Sequence, residues 1–381
     1  MIGDRHRDEF PTLASGIHLL SHSLGPVPRA ARASMLSYID AWEHHTSEDA
    51  WATSWWELSR RVGDRIARIL GGVPGSVQIQ PNASLAMATV ASCFDFKPGQ
   101  NKVVTTALDF PSMEYFWDAQ RQMGARVEVV PSEDGISVRL EQILDAIGKE
   151  PCIVALSHTS YRSSARVNVP AIVEHTHARG GLVVLDVYQS AGVVQLNAAD
   201  WKVDFLIGGT IKWLCGGPSC GYLYVRPEIL RDLQPRLTGW VAHDAPFDFA
   251  HGPMRYAKSV RRFAQGTPSI PALYSAIPGL EIIERVGVPD IAAESQRRTQ
   301  LMIDFATERG WTINTPLDKN ERGGSVMIGV NDAPVMAERL AERKVFVDWR
   351  PSAGLRMSPH FFNTDEEVEE ALNILAELME Q

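Results

Sequence analysis

The spacing of hydrophobic and polar residues divides the chain into three stretches. The first 70 residues are predicted to be helical, because their apolar side chains recur at the spacing of amphipathic helices. These apolar positions include Trp42, Trp51, Trp55, Trp56 and the run from Leu58 to Leu70. Short β-rich runs alternate with helix-like segments from about residue 75 to 230, and the last hundred residues resemble a smaller α+β unit.

The middle stretch is predicted to form a mainly parallel sheet with helices on both faces, because its strands and helices alternate. Helix-like segments such as Met113–Ala125 and Ala171–Arg179 separate several of the strands. The predicted strands are Val77–Gln80, Lys102–Leu108, Arg126–Val130, Cys152–Ser157, Leu182–Val187, Val203–Gly208 and Gly221–Val225.

The C-terminal unit has three strand candidates and a clear final helix. Thr364, with Glu367 three residues later, predicts a capping box at the start of that helix. The strand candidates are Ser325–Val330, Val345–Asp348 and Leu355–Ser358.

Composition and charge narrow the class of protein. The formal net charge of −9 is spread along 381 residues, which argues against nucleic acid or an anionic membrane as a partner. The charged N-terminus lacks the apolar core of a signal peptide, and no apolar run is long enough to span a membrane. Four scattered cysteines do not form a disulfide framework, so a cytoplasmic protein with reduced thiols is expected. The histidine pairs His44–His45 and His175–x–His177 lack partners at zinc spacing, so no metal is expected.

Three predicted strand ends carry residues suited to chemistry, and active sites of open parallel sheets lie at the carboxyl ends of the strands. One strand finishes on Asp186, and a second apolar strand is predicted to end at Lys212. The strand Val77–Gln80 is followed by Ala83 and Ser84 at the start of a helix-like run.

This combination matches the needs of an enzyme that uses pyridoxal 5′-phosphate (PLP). Lys212 would form a Schiff base with the cofactor and move the α-proton of the substrate. Asp186 would pair with the pyridine nitrogen and keep it protonated. The helix start at Ala83 and Ser84 would receive the phosphate on free backbone N–H groups.

The chain resembles the aminotransferase class V group of fold-type-I PLP enzymes, and most of all the kynureninases. The resemblance rests on an ordered set of motifs that runs almost end to end. These are Ser23-Leu24-Gly25 with Pro28, Trp55 to Gly63, Phe110-Pro111-Ser112, Gly239-Trp240 with His243, Gly266-Thr267-Pro268, and Leu355-Arg356-Met357-Ser358-Pro359. It implies a large PLP-binding domain with a seven-stranded sheet over residues 50–265, and a small α+β domain made of residues 1–49 with 266–381.

The resemblance also implies roles for individual residues around the cofactor. Phe110 would stack on the ring, Gln189 would bond the 3′-oxygen and Thr210 would add a hydroxyl. Trp240 and Thr267 would reach the site from a neighbouring subunit, which implies a homodimer with the active site at its interface.

Three further positions are expected to contact the amino-acid substrate. Arg356 would hold the α-carboxylate as a bidentate clamp. Ser160 stands where the related desulfurases often have an asparagine near the substrate, and His243 closes the motif that contains Trp240.

The sequence departs from the kynureninase pattern at three positions. Ile211 replaces the tyrosine usually found before the lysine, Gln189 replaces a histidine, and Met113 replaces an aspartate. A kynureninase-like hydrolase or lyase that cleaves at Cβ is the first interpretation, although Ile211 cannot act as an acid or base. A class V aminotransferase or epimerase is the alternative. A cysteine desulfurase is disfavoured, since no cysteine follows Cys220.

Overall fold

A computed structural model of the chain describes residues 2–44 and 47–381; His45 of the histidine pair lies outside them. Its helices are α1 Ile2–His6, α2 Ala30–His44, α3 Ser47–Ala50, α4 Leu58–Ile69, α5 Ala83–Ala91, α6 Pro111–Gln120, α7 Leu140–Ile147, α8 Val169–His177, α9 Ala198–Trp201, α10 Ile270–Val286, α11 Val288–Glu308, α12 Ala333–Glu342 and α13 Asp365–Met379. Its strands are β1 Ile17–His18, β2 Val77–Gln80, β3 Lys102–Thr106, β4 Arg126–Val130, β5 Cys152–Ser157, β6 Leu182–Asp186, β7 Phe205–Gly209, β8 Gly221–Val225, β9 Val326–Ile328, β10 Val345–Phe346, β11 Asp348–Arg350 and β12 Gly354–Met357.

Seven strands form the central sheet in the order β2-β8-β7-β6-β5-β3-β4. All neighbours from β7 to β4 are parallel, whereas β8 runs antiparallel to both β7 and β2. This arrangement confirms the predicted α/β fold of the fold-type-I class, with a mainly parallel sheet of seven strands.

Alternate residues of the central strands enter cores on opposite faces of the sheet. Val183 and Leu185 of β6 lie in one core with α4 and α10, while Val184 lies in the other core with α5 and α6. A strand that is buried on both faces reads as a continuous apolar run, which is why β6 was visible in the sequence.

A third core joins the C-terminal unit to the N-terminus. Strands β11, β12 and β9 form an antiparallel sheet, and β1 pairs in parallel with β10. Ile17 and Leu19 are buried there with residues of β9, β12 and α13. The helix α10 packs instead in the first core, so the domain division at residues 50–265 stays a prediction.

Several predicted bounds differ from the structure. The first 70 residues contain the short strand β1, because Ile17–His18 pairs with a strand more than 300 positions away. The predicted strand Val345–Asp348 is split at Val347, so that Asp348 begins the separate strand β11. The run Lys102–Leu108 stops at Thr106, where the Asp109 carboxylate accepts the Thr106 amide at 2.7 Å.

The final helix begins as predicted, and the described helices can be compared with the length of a membrane span. The capping box at Thr364 is confirmed, since the Thr364 hydroxyl accepts the Glu367 amide and the Glu367 carboxylate accepts the Thr364 amide, both at 3.2 Å. None of the described helices has the length and apolar character needed to cross a membrane.

Candidate active site

A cavity of about 250 Å³ opens at the carboxyl ends of the parallel strands. Six of the residues predicted to act on the cofactor line it together, although they come from four separate parts of the chain. These six are Ala83, Ser84, Phe110, Asp186, Gln189 and Lys212. The remaining lining residues are Asn82, Ser112, Met113, Ser157, Thr159, Tyr161 and Tyr188.

Lys212 lies in the turn after β7 and not at the end of the strand, which corrects the sequence interpretation. The strand ends at Gly209, and Lys212 follows three residues later. Its Nζ atom lies 5.7 Å from the centre of the Phe110 ring and 4.4 Å from that of Tyr188. Burial lowers the pKa of the Lys212 amine to about 8, and the nearby Asp186 charge opposes part of this shift.

Glycines from distant parts of the chain hold the Lys212 turn in place. The Gly25 amide donates to the Ile211 carbonyl at 2.8 Å, and a Cβ atom on Gly25 would overlap the Lys212 carbonyl oxygen. On the other side, a Cβ atom on Gly279 of α10 would overlap the carbonyl of Leu214. The Ser23-Leu24-Gly25 motif is therefore explained by a close backbone approach that only glycine permits.

Asp186 ends β6 and is buried beside Lys212. Its Oδ1 atom accepts the Tyr188 amide at 2.8 Å, which fixes the carboxylate at the strand end. Burial raises the pKa of Asp186 to about 6, and Lys212 acts against this shift. A positive group placed in the cavity would restore the ionised form, as a protonated pyridine nitrogen would do.

Asp109 was not predicted as a site residue, and its carboxylate links two strand ends. It accepts the Thr105 hydroxyl at 2.7 Å and also the backbone amide of Ser157 at the end of β5. This linkage sets the start of α6, where Phe110 is the residue before the first helical position. A buried-strand end followed by a carboxylate was the signal that could have revealed it.

The start of α5 supplies backbone donors to the cavity. The Asn82 side chain caps the helix by accepting the Leu85 amide at 2.9 Å. The amides of Ala83 and Ser84 belong to the first turn, which has no carbonyl partners within the helix. These donors and the helix dipole suit a phosphate group.

Two aromatic rings flank the amine of Lys212. Phe110 is 39% exposed and packs edge-on against Tyr161 at 5.1 Å between ring centres. Tyr188, two residues after Asp186, was not predicted as a site residue. Its ring lies across Gly209, where an added Cβ atom would overlap the Tyr188 hydroxyl.

Three side chains that were predicted to make polar contacts with the cofactor or substrate are hydrogen-bonded elsewhere in the protein; Ser160, for one, donates to the Leu108 carbonyl at 3.4 Å. Gln189 donates to the His22 carbonyl at 3.0 Å and accepts from the Trp213 indole at 3.2 Å. The Thr210 hydroxyl donates to the Gly217 carbonyl at 3.1 Å, and neither Thr210 nor Ser160 is among the residues that line the cavity. Their predicted contacts with cofactor and substrate stay predictions.

Arg356 is buried next to the cavity and already has an acidic partner. Its Nε and Nη2 atoms donate to the two carboxylate oxygens of Asp348, at 2.7 and 2.6 Å. Its Nη1 atom donates at 2.8 Å to the carbonyl of Tyr161, which lines the cavity. Asp348 was not predicted, because it pairs with Arg356 across two strands whose register the sequence does not show.

Trp240, Thr267 and His243 lie outside the cavity in this single chain. Trp240 is 40% exposed, with its ring centre 5.9 Å from that of Trp56. Thr267 lines a separate cavity of about 260 Å³ near the same surface. The predicted contribution of these residues to a neighbouring subunit is not tested by one chain and stays a prediction.

The residues of the cavity fit PLP. They include a buried amine, a buried carboxylate, two aromatic rings and a helix start with backbone donors. The Thr159 hydroxyl is also buried there and has no hydrogen-bond partner among the described residues, as expected for a group that awaits a ligand. In residues 2–44 and 47–381, which the structure describes, no group of three or more histidine, cysteine or acidic side chains could hold a metal ion.

Comparison with known proteins identifies the family of this chain, and the relatives that match it along most of its length have names that agree with that family. The family model described as aminotransferase class V matches residues 64–370. An uncharacterized aminotransferase of Bacillus subtilis, YcbU, is 31% identical over 98% of this chain and 97% of its own length. A kynureninase of Bacillus anthracis is 26% identical over 97% of this chain and 90% of its own length.

Solved structures share the fold along the whole chain. A cysteine desulfurase from Thermococcus onnurineus has a TM-score of 0.86 at 22% identity, covering 100% of this chain and 98% of its own. The cystine C–S lyase C-DES, in complex with cysteine persulfide, has a TM-score of 0.85 at 18% identity, covering 96% and 99%. At these identities the likeness shows the fold alone.

Proposed function

This chain belongs to the aminotransferase class V family, and from that membership we propose that Lys212 removes the α-proton of a small L-amino acid. The protein is a PLP-dependent enzyme. The observation that carries the proposal is the position of Lys212, whose buried amine shares one cavity with Asp186, Phe110 and the start of α5.

PLP, when bound, supplies an aldehyde carbon that bonds to amines and a pyridinium ring that withdraws electrons from the Cα atom of the amino acid. Asp186 would hold the pyridine nitrogen in its protonated form, and the amides of Ala83 and Ser84 would hold the phosphate. Phe110 and Tyr188 would restrict the ring and keep water from it.

Lys212 is suited to act as a base near neutral pH. Its pKa of about 8 leaves a useful fraction of neutral amine, which an exposed lysine would lack. The low pKa comes from burial, so the same contacts that position the amine also prepare it to accept the proton.

Arg356 is the proposed partner of the substrate carboxylate. It lies at the edge of the cavity through its bond to the Tyr161 carbonyl. Its charge also acts on Lys212, which is consistent with a carboxylate bound between the two cations.

We place kynureninase-like cleavage at Cβ first among the outcomes of α-proton removal. Its support is the set of kynureninases that match along almost the whole chain. The residue before Lys212 is Ile211, so the acid or base for cleavage would have to be another hydroxyl in the cavity, and Tyr188 and Thr159 line it.

Transamination or epimerisation is the second candidate. The amide of Gln189 is engaged by His22 and Trp213, and Ile211 has no polar group, so this side of the site lacks the contacts that Cβ cleavage uses in kynureninases. Transamination and epimerisation need only Lys212 as the base, the cofactor, and Arg356 to bind the substrate carboxylate. The 31% identity to a protein named as an aminotransferase supports this candidate.

The cysteines near Lys212 in the sequence are not suited to carry the persulfide that a desulfurase forms. The cysteines nearest in sequence to Lys212 are Cys215 and Cys220, and both are buried. Burial raises the pKa of Cys220 to about 12 and raises that of Cys215 further, so neither is a thiolate at neutral pH.

A homodimer in the cytoplasm is part of the same proposal. Support for the homodimer is an aromatic cluster at the position expected to meet the neighbouring subunit. Trp240, Phe247 and Phe249 are exposed, and they surround the half-buried Trp56.

Exchange of the α-proton in D₂O tests the base before the final product is known. The PLP-loaded protein is incubated with a panel of L-amino acids, and loss of the Cα–H signal is followed by NMR. Exchange with any member supports the proposal, and no exchange with any member would overturn it. Anthranilate release from L-kynurenine, or formation of a keto acid or a D-amino acid, then separates the candidate outcomes.

A further inference from the structure

The Asp348 carboxylate occupies one edge of the Arg356 guanidinium. The two residues are direct cross-strand partners in β11 and β12, and Arg356 is only 1% exposed. Three of its five N–H donors are used, two by Asp348 and one by the Tyr161 carbonyl. Two donors remain, one on Nη1 and one on Nη2, which is the number that a bidentate carboxylate accepts from.

The charges around this pair leave one unmatched positive charge. Arg350 also contacts Asp348, with 3.1 Å between its Nη1 atom and the Oδ2 atom of Asp348. The His22 ring is neutral at pH 7, because burial lowers its pKa to about 4. Two arginines and one aspartate therefore give the cluster a net charge of +1.

Asp348 is fixed in this position by further hydrogen bonds. The Nε2 atom of His22 lies 2.7 Å from the Oδ1 atom of Asp348. The other ring nitrogen of His22 lies 2.6 Å from the Ser358 hydroxyl, and the His22 carbonyl accepts from Gln189 in the cavity wall. A side chain held on this many sides does not swing away when a ligand arrives.

We propose that Asp348 determines substrate specificity by limiting the Arg356 subsite to a single carboxylate. Because it cancels one guanidinium charge and covers one edge of Arg356, amino acids with one carboxylate are accepted and dicarboxylic amino acids are disfavoured. This inference rests on the proposed function in one respect, namely that Arg356 faces the carboxylate of the substrate.

Carboxylates without an amine test the subsite separately from catalysis. Propionate and succinate differ by one carboxylate and cannot react with PLP through nitrogen. Their dissociation constants for the PLP-loaded protein are measured by isothermal titration calorimetry. The variants are Asp348→Asn and Asp348→Ala, and Asp145→Asn on the exposed face of α7 is the control with the same charge change.

The wild-type protein and the Asp145→Asn control are expected to bind propionate in preference to succinate. In both Asp348 variants the affinity for succinate relative to propionate should rise on the order of tenfold, because the cluster gains one unit of positive charge. A melting curve of each variant shows whether it is folded, and Asp348→Ala serves if Asp348→Asn is not.

An unchanged ratio in folded Asp348 variants would overturn the inference, as would a wild-type protein that binds neither carboxylate. The proposed function fails in a different way. A protein that binds propionate selectively but exchanges no α-proton keeps the specificity role of Asp348 and loses the role of Lys212 as a base.

Discussion

The amine of Lys212 lies 4.4 Å from the centre of the Tyr188 ring, and the same ring lies across Gly209 at the end of β7. Tyr188 also donates its backbone amide to Asp186. Tyr188 thus makes two contacts. Its ring packs on β7, the strand before Lys212, and its backbone amide binds Asp186, the carboxylate that would hold the cofactor ring. Because the Tyr188 ring fills the space beside Gly209, even one added methyl group at Gly209 should disturb the cavity.

Replacing Lys212 by alanine should abolish α-proton exchange. The expected loss is on the order of 100-fold or more, as for removal of a positioned acid–base group. NMR in D₂O measures the rate, and Lys97→Ala, at an exposed site, is the control. Exchange at the wild-type rate in the Lys212 variant would remove its assigned role.

Replacing Tyr188 by alanine should weaken PLP binding, whereas phenylalanine should retain it. Loss of an aromatic contact costs about 1 kcal/mol, or about fivefold in the dissociation constant. Titration of the cofactor-free protein, followed by the absorbance of bound PLP, gives the constant. Equal affinities for all three proteins would show that the ring does not contact the cofactor.

Replacing Gly209 by alanine should destabilise the protein through a clash with Tyr188. Overpacking of this kind costs about 1–3 kcal/mol in the free energy of unfolding. The double variant with Tyr188→Ala removes the obstacle and should recover most of the loss, which urea unfolding would measure. Strictly additive effects would contradict the contact.

Replacing Asp186 by asparagine should stabilise the cofactor-free protein at pH 7 while it impairs catalysis. The pKa of Asp186 is about 6 in the folded state, above its ordinary value of 3.8, so the folded protein binds this proton more tightly than the unfolded chain does. The stability that the proton gives is therefore present below about pH 4 and is lost as the pH rises through about 6. Removing the buried charge should add about 3 kcal/mol at pH 7, because the raised pKa already includes the attraction to Lys212 and corresponds to a free energy of this size.

Urea unfolding of the cofactor-free wild type and the Asp186 variant at several pH values checks this sign. Below about pH 3 the aspartate is protonated in both states, and the two proteins should unfold at nearly the same urea concentration. A variant that is less stable than the wild type at pH 7 would contradict the role of burial.

Replacing Arg356 by alanine should mainly raise KM for amino acids, by on the order of 10- to 100-fold, because a charged hydrogen-bonding partner of the carboxylate is lost. Steady-state kinetics separate this effect from a change in kcat. Arg343→Ala, which removes a surface pair with Glu377, is the control and should leave KM unchanged.

The sequence predicted the central strands of the large sheet well because they are buried on both faces. Cys152–Ser157 and Gly221–Val225 are such strands and have the predicted bounds. The edge strand Arg126–Val130 also has the predicted bounds, although only Val130 is fully buried there. The short pairing of Ile17–His18 with Val345–Phe346 was invisible, since its apolar residues are few and its partner lies at the other end of the chain.

Part of the site was predicted from strand ends and motifs, whereas the residues that act through contacts between distant segments were not predicted. Asp186 stands at a strand end and was located from the local pattern, whereas Phe110 was named from the family resemblance. Asp348, by contrast, acts through a cross-strand register, and Tyr188 acts through a ring packed over Gly209. Both depend on distances between segments, which hydrophobic periodicity does not contain.

The glycine contacts around the Lys212 turn have a consequence for the order of folding. One wall of that turn comes from Gly25, which is synthesised early, and the other comes from Gly279 in α10. A nascent chain that ends before α10 has the lysine but lacks the wall that fixes it. Cofactor capture should thus be a late event in biogenesis, and PLP uptake would report that the Gly25 segment and α10 have both assembled around the lysine.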